Sequence, residues 1–199
     1  VELMGVVPVV SAVLGTAAGG PAGRAILSHW SVMTKGTSQI FAAGPPVVER
    51  SLGQKISKEE LGGHKAAVDT AGLVHNVAAD EAECFAMIRR YLSYMPTNVW
   101  ELPPVVDTGD APDRREEGLA TIVPRDRRKP YNMRKLVEMV VDKGSVFEIQ
   151  PTYGKAVITS LARMNGKVVG IVANNPMIYG GALDLKSSRK QTHFIQLCD

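Results

Sequence analysis

Cysteine is scarce: the chain has two, Cys84 and Cys198, far apart in its 199 residues. There is no Cys-x-x-Cys motif and no Cys/His cluster, and the four histidines (His29, His64, His75, His193) lack metal-ligand spacing. Neither a disulfide framework nor a metal centre is signalled, and a reducing, cytoplasm-like compartment is expected. Long apolar runs are also missing. The longest, Val6 to Ala18, is broken by Pro8, Ser11, Gly15 and Thr16, whereas a bilayer span needs about 20 apolar residues. No secretory signal pattern is visible. Charge is nearly balanced, with 23 basic and 20 acidic side chains for a formal +3. That excess is too small to argue for nucleic acid.

What is present is an ordinary globular composition, 45% apolar and 22% charged. The length suits one large domain or two small ones. Val6–Leu14 is valine-rich and reads as a buried strand, weakened near its start by Pro8. "AGRAILSHW" reads as a short helix and "SVMTKG" as a strand. Residues 44–53 read as a helix with Pro45 or Pro46 in its first turn and Gly53 at its end. Residues 56–78 read as loop-rich, punctuated by Gly62-Gly63 and Gly72.

Asp80 to Met95 carries the clearest helix signal. Asp80 is the cap, Glu83 completes a capping box, and Cys84, Ile88, Tyr91 and Met95 form one apolar face. Pro96 stops it, and Cys84 is read as core packing. Residues 101–130, rich in proline and charge, read as a linker or an extended crossing. A helix is expected over Asn132–Asp142, then a strand in "SVFEIQ". A hairpin follows, its strands "KAVITSLAR" and "KVVGIVAN" joined across Asn165-Gly166. A last helix begins at Ser187 or Ser188. The alternation of helices and strands in both halves indicates an α/β class. Neither end reads like a natural terminus, so an internal piece of a longer protein is expected.

The stretch "LGTAAGGPAGRAIL", residues 14–27, holds four glycines at a strand-to-helix junction. It is not a phosphate loop, because Gly20 is followed by Pro21 and no lysine stands where that motif needs one. The spacing of Gly15, Gly19, Gly20 and Gly23 does not fit a dinucleotide fingerprint. Two readings remain. The small residues let a helix pack close to a sheet, or the Gly19 and Gly20 amides form an oxyanion hole at the helix N-terminus.

Those residues, together with "VMTKGTSQIFAAGPPVVERSLGQKISKEELGGHKAAVDTAGLVHNVAADE" and the later segment "VPRDRRKPYNMRKLVEMVVDKGSVFEIQPTYGKAVITSLARMNGKVVGIVANNPMIYGGALD", resemble carboxyltransferase β subunits of biotin-dependent acyl-CoA carboxylases. The resemblance implies a crotonase-like spiral of ββα units and parts of two successive domains. The first, residues 1–100, is the acyl-CoA side; after the linker, residues 131–199 begin the biotin side. It implies acyl-CoA as substrate and biotin on a carrier as cofactor. The implied partners are a biotin carboxylase/carrier subunit and copies of itself in a dimer of trimers, in the cytoplasm or a mitochondrial matrix.

By the same resemblance, Gly19 and Gly20 hold the thioester oxygen as it becomes an enolate. Gly44, Pro45, Gly62 and Gly63 shape the pocket or, equally, are turn residues. A second oxyanion pair lies beyond Asp199. The alternatives are a decarboxylase subunit and a non-catalytic scaffold. The turn "PAGRA" departs from the family pattern; Arg24 in it reads as a surface residue, with an anionic group of CoA as the other option. The cluster Arg125, Arg127, Arg128 and Lys129 reads as solvated linker, with a CoA or carrier patch as the other option.

Overall fold

The computed structural model describes residues 2–126 and 128–199. It divides into two compact units, one ending at Glu101 and one beginning at Leu102.

In the first unit, strands and helices succeed one another as ββα. Strand β1 (Val10–Val13) and β2 (Thr16–Ala18) lead into helix α1 (Gly20–Leu27). Strand β3 (Trp30–Thr34) and β4 (Gln39–Phe41) lead into α2 (Pro45–Leu52) and α3 (Lys58–Gly62). A π-helical stretch, Lys65–Thr70, precedes β5 (Asn76–Ala78) and α4 (Glu81–Leu92). The leading strands pair in parallel in the order β1-β3-β5. The second strands form a separate parallel ribbon, with Thr16 opposite Gln39 and Ala18 opposite Phe41. Every residue of the central strand β3 is buried, as expected of a parallel strand with neighbours on both edges.

The Val6–Leu14 strand is shorter than the sequence suggested. A 3-10 turn over Glu2–Gly5 and Pro8, which has no N–H to donate, delay pairing until Val10. Residues 56–78, expected as loop-rich, hold α3, the π-helical stretch and β5. Ser57 and Glu60 form a complete capping box that starts α3. In α4 the Asp80 carboxylate accepts the Glu83 N–H at 2.8 Å, while the Glu83 carboxylate reaches back to the Ala79 N–H at 2.6 Å, one residue earlier than a capping box requires. Cys84 is fully buried in the core. Tyr91 stacks on Trp30 with ring centroids 4.9 Å apart.

The second unit is built on an antiparallel sheet of β6 (Phe147–Ile149), β7 (Val157–Met164) and β8 (Lys167–Asn174). The β7–β8 turn places Asn165 at φ 50° and Gly166 at φ 75°, the left-handed pair that a primed turn demands. A side chain at Gly166 would come 2.2 Å from the Val106 carbonyl oxygen. Residues 102–123, within the 101–130 stretch expected as a linker or extended crossing, belong to this unit and include a one-turn helix α5 (Leu119–Ile122). Arg114 ties them down: it bonds Asp110 and Glu116 and donates to the Met139 and Val141 carbonyls at 3.2 and 2.7 Å, at the end of α6 (Met133–Val140).

Asp142 joins the same segment to the hairpin. It accepts the Thr108 hydroxyl at 3.0 Å and the N–H groups of Asn165 and Gly166 at 2.9 and 2.8 Å. Burial works against its ionisation, but these donors and the nearby Arg114 together hold its carboxyl below the usual range.

Helix α7 (Leu185–Cys198) covers β7. Its cap is Asp184 rather than Ser187 or Ser188; Ser187 is the reciprocating third residue of a capping box. Lys190 on this helix is 1% exposed, and its ammonium donates to the Val157 carbonyl at 2.8 Å. Burial pushes its pKa down from 10.5 to about 8; Glu148, itself bonded to Arg134 at 2.7 Å, pulls it up and Arg134 pushes it down. Because the folded value lies below the unfolded one, the unfolded chain binds more protons between those limits, and stability from this site rises with pH there. Urea unfolding of the native protein and Lys190→Met checks this. The native protein gains on the variant by on the order of 3 kcal/mol between about pH 8 and pH 10.5; a pH-independent difference contradicts it.

Candidate active site

The candidate site residues Gly19 and Gly20 stand at the turn between the β2–β4 ribbon and α1. Gly19 stands at φ 62° and ψ −123°, a conformation open to glycine, and swings the chain from β2 into α1. Its N–H donates to the Phe41 carbonyl at 3.1 Å, prolonging the β2–β4 ladder by one residue. The expectation that both glycine amides stand free is therefore corrected: the Gly19 N–H is spent on the sheet. Gly20 opens the helix, Pro21 has no N–H, and the first intrahelical bond runs from Gly23 to the Gly19 carbonyl at 3.0 Å. Among the described residues no acceptor takes the Gly20 N–H. It is exposed and sits where the helix dipole favours negative charge.

Of the other expected residues, Gly44 and Gly62 lie against Phe41. Gly44 is the N-cap of α2 and Pro45 stands in its first turn; a side chain at Gly44 would touch the Phe41 ring at 3.5 Å. Gly62 is pressed against β4, where an added Cβ would lie 2.1 Å from the Ile40 carbonyl oxygen and 2.9 Å from the Phe41 ring. Gly63 instead packs against its own helix, with the Glu59 carboxylate 2.3 Å from an added Cβ. Phe41 itself carries no sequence signal; its importance comes from the pairing of β2 with β4. The signal for α3 was present in Ser57-x-x-Glu60. Of the basic cluster, Arg125, Arg128 and Lys129 are exposed, with Arg128 3.3 Å from Asp126, and Arg127 lies outside the described residues.

Beside the turn lies a cleft of about 480 Å³. Strand β1 and residues Leu14 to Ala17 form one wall; Pro21, Arg24 and Ala25 of α1 form the other. Among the described residues, Arg24 is the only titratable side chain lining it. Among the described residues no group of three His, Cys, Asp or Glu side chains is placed to hold a metal ion, and no helix is long and apolar enough to cross a membrane. Gly19 and Gly20 are not among the residues that line this cleft; its helical wall begins at Pro21.

The chain matches the carboxyl transferase domain family over residues 1–199 and belongs to it. It is 40% identical over 195 residues to methylmalonyl-CoA decarboxylase subunit alpha of Veillonella parvula, covering 98% of this chain and 38% of that protein. It is 37% identical to the mitochondrial propionyl-CoA carboxylase beta chain of Homo sapiens, covering 100% of this chain and 37% of that one. Among solved structures, transcarboxylase 12S with hydrolysed methylmalonyl-coenzyme A bound superposes with a TM-score of 0.94 at 34% identity, over 100% of this chain and 39% of that one. The fold is thus crotonase-like α/β, and the chain spans less than two fifths of the length of these relatives.

The glycine contacts separate packing from chemistry. Gly62→Ala forces backbone apart and is expected to destabilise by about 2–3 kcal/mol. Gly20→Ala meets open space and should change stability by less than about 0.5 kcal/mol. Thermal unfolding of the two variants measures this; equal losses contradict the placement of α3 on β4.

Proposed function

We propose that this chain supplies the acyl-CoA side of a carboxyltransferase that moves a carboxyl group from carboxybiotin to the α carbon of a short acyl-CoA. The observation that carries the reading is the exposed, unbonded Gly20 N–H, held in place by the turn at Gly19. Carboxylation at that carbon passes through a thioester enolate, whose oxygen bears the developing charge. A donor fixed beforehand at the helix N-terminus stabilises that oxygen without reorganising as the charge forms.

The chemistry of the cleft fits biotin as cofactor, because its one titratable side chain is an arginine, which neither accepts nor releases a proton at neutral pH. Biotin, when bound on its carrier, supplies the carboxyl group and the base. Gly19 and Phe41 contribute by fixing the turn, and Gly44, Pro45 and Gly62 by setting β4 and α2 behind it. The same donor serves the reverse reaction, which accommodates both the carboxylase and the decarboxylase among the relatives. A biotin-bearing subunit is the expected partner. Assembly into a hexamer is supported by transcarboxylase 12S, whose structure is of a hexamer assembly.

Gly20→Pro tests the reading, since proline is accepted at the first position of a helix and replaces the N–H by a ring carbon that cannot donate. In the assembled enzyme with its biotin carrier, kcat for propionyl-CoA carboxylation falls about 10²–10³-fold, while Gly20→Ala stays near the native rate. A folded Gly20→Pro enzyme with native kcat removes the basis for the proposal.

A further inference from the structure

We propose that the cleft beside α1 is a carboxylate subsite and that Arg24 is its counter-ion, reading the carboxyl group of a carboxylated thioester; this rests on the acyl-CoA reading above. Pro21, Arg24 and Ala25 occupy one stripe of α1, at i, i+3 and i+4, and form the helical wall of the cleft. Arg24 is exposed, and among the described residues no carboxylate pairs with it. Two other arginines, by contrast, are spent internally: Arg134 on Glu148, and Arg114 on Asp110 and Glu116. A guanidinium left unpaired in a cleft of about 480 Å³, a volume typical of small-molecule sites, is a preformed fork for a planar oxyanion.

Position selects which oxyanion. Arg24 lies four residues after Gly20, about 6 Å along the helix axis. Helical side chains lean toward the N-terminus, which directs the guanidinium toward the end of α1 that carries the free amide. A group it holds therefore lies close to the thioester oxygen. The carboxylate on the α carbon of a malonyl-type thioester is that close, whereas the phosphates of coenzyme A stand the whole pantetheine arm away. The opposite wall contributes the Ser11 and Thr16 side chains and no charged group, which leaves Arg24 as the one formal charge among the described residues to meet the anion.

Calorimetric titration of the native protein, Arg24→Gln and Arg24→Lys with malonyl- and acetyl-pantetheine, and with the matching CoA thioesters, tests the assignment without turnover. The native protein should bind malonyl-pantetheine about tenfold more tightly than acetyl-pantetheine. Arg24→Gln should erase that ratio while leaving acetyl-pantetheine affinity within about twofold, and Arg24→Lys should restore part of it. An unchanged ratio in Arg24→Gln overturns the proposal. So does a loss confined to the CoA thioesters, which would place the guanidinium on the phosphates. Failure of the native protein to bind any thioester would overturn the acyl-CoA reading as well; thioester binding with an unchanged ratio would overturn the carboxylate subsite alone.

Discussion

A single hydrogen bond organises the turn from β2 into α1: the Gly19 N–H on the Phe41 carbonyl, at 3.1 Å. It closes the β2–β4 ladder one residue beyond their last paired positions, Ala18 and Phe41. Past it the chain needs a positive φ to turn into α1, which glycine provides. The following N–H, that of Gly20, is then the first in the chain beyond the ladder and precedes any partner the helix offers. The exposure of that amide follows from where the ladder ends.

Phe41 receives this arrangement from the other side. The close approach of Gly62 to the Ile40 carbonyl lets α3 sit flat on β4, and Gly44 clears the Phe41 ring so that α2 can start immediately after it. These glycines are small because backbone and ring occupy the space a side chain would need. They bear on the site through rigidity: the acceptor for Gly19 stays where the turn requires it. In the second unit, Asp142 and Arg114 do comparable work, fastening residues 102–123 to the hairpin and to α6 through bonds to backbone groups.

Much of the architecture was legible in local pattern. The Asn165-Gly166 turn, the proline-led α2 ending at Gly53, and the Asp80 cap of α4 each depend on residues adjacent in sequence, where turn and capping chemistry is decisive. The short ribbon strands β2 and β4 were not legible. Three-residue strands lack a period, and their pairing joins residues far apart in the chain. Gly19 was singled out for the right turn but given the wrong partner, because its acceptor belongs to a strand that pattern alone did not reveal. Arg24 was read foremost as a surface residue; its relation to the cleft depends on β1 and α1 lying side by side, which spacing within one helix does not disclose.

The division of labour between two neighbouring amides is the centre of this account, and glycine-selective ¹⁵N NMR reads it directly. The Gly19 N–H, bonded within the ladder, should exchange slowly with solvent, and the Gly20 N–H quickly. Addition of acetyl-CoA should shift the Gly20 resonance and slow its exchange while leaving Gly19 in place. A Gly20 resonance unmoved by saturating thioester, or a Gly19 amide exchanging as fast as Gly20, would contradict it.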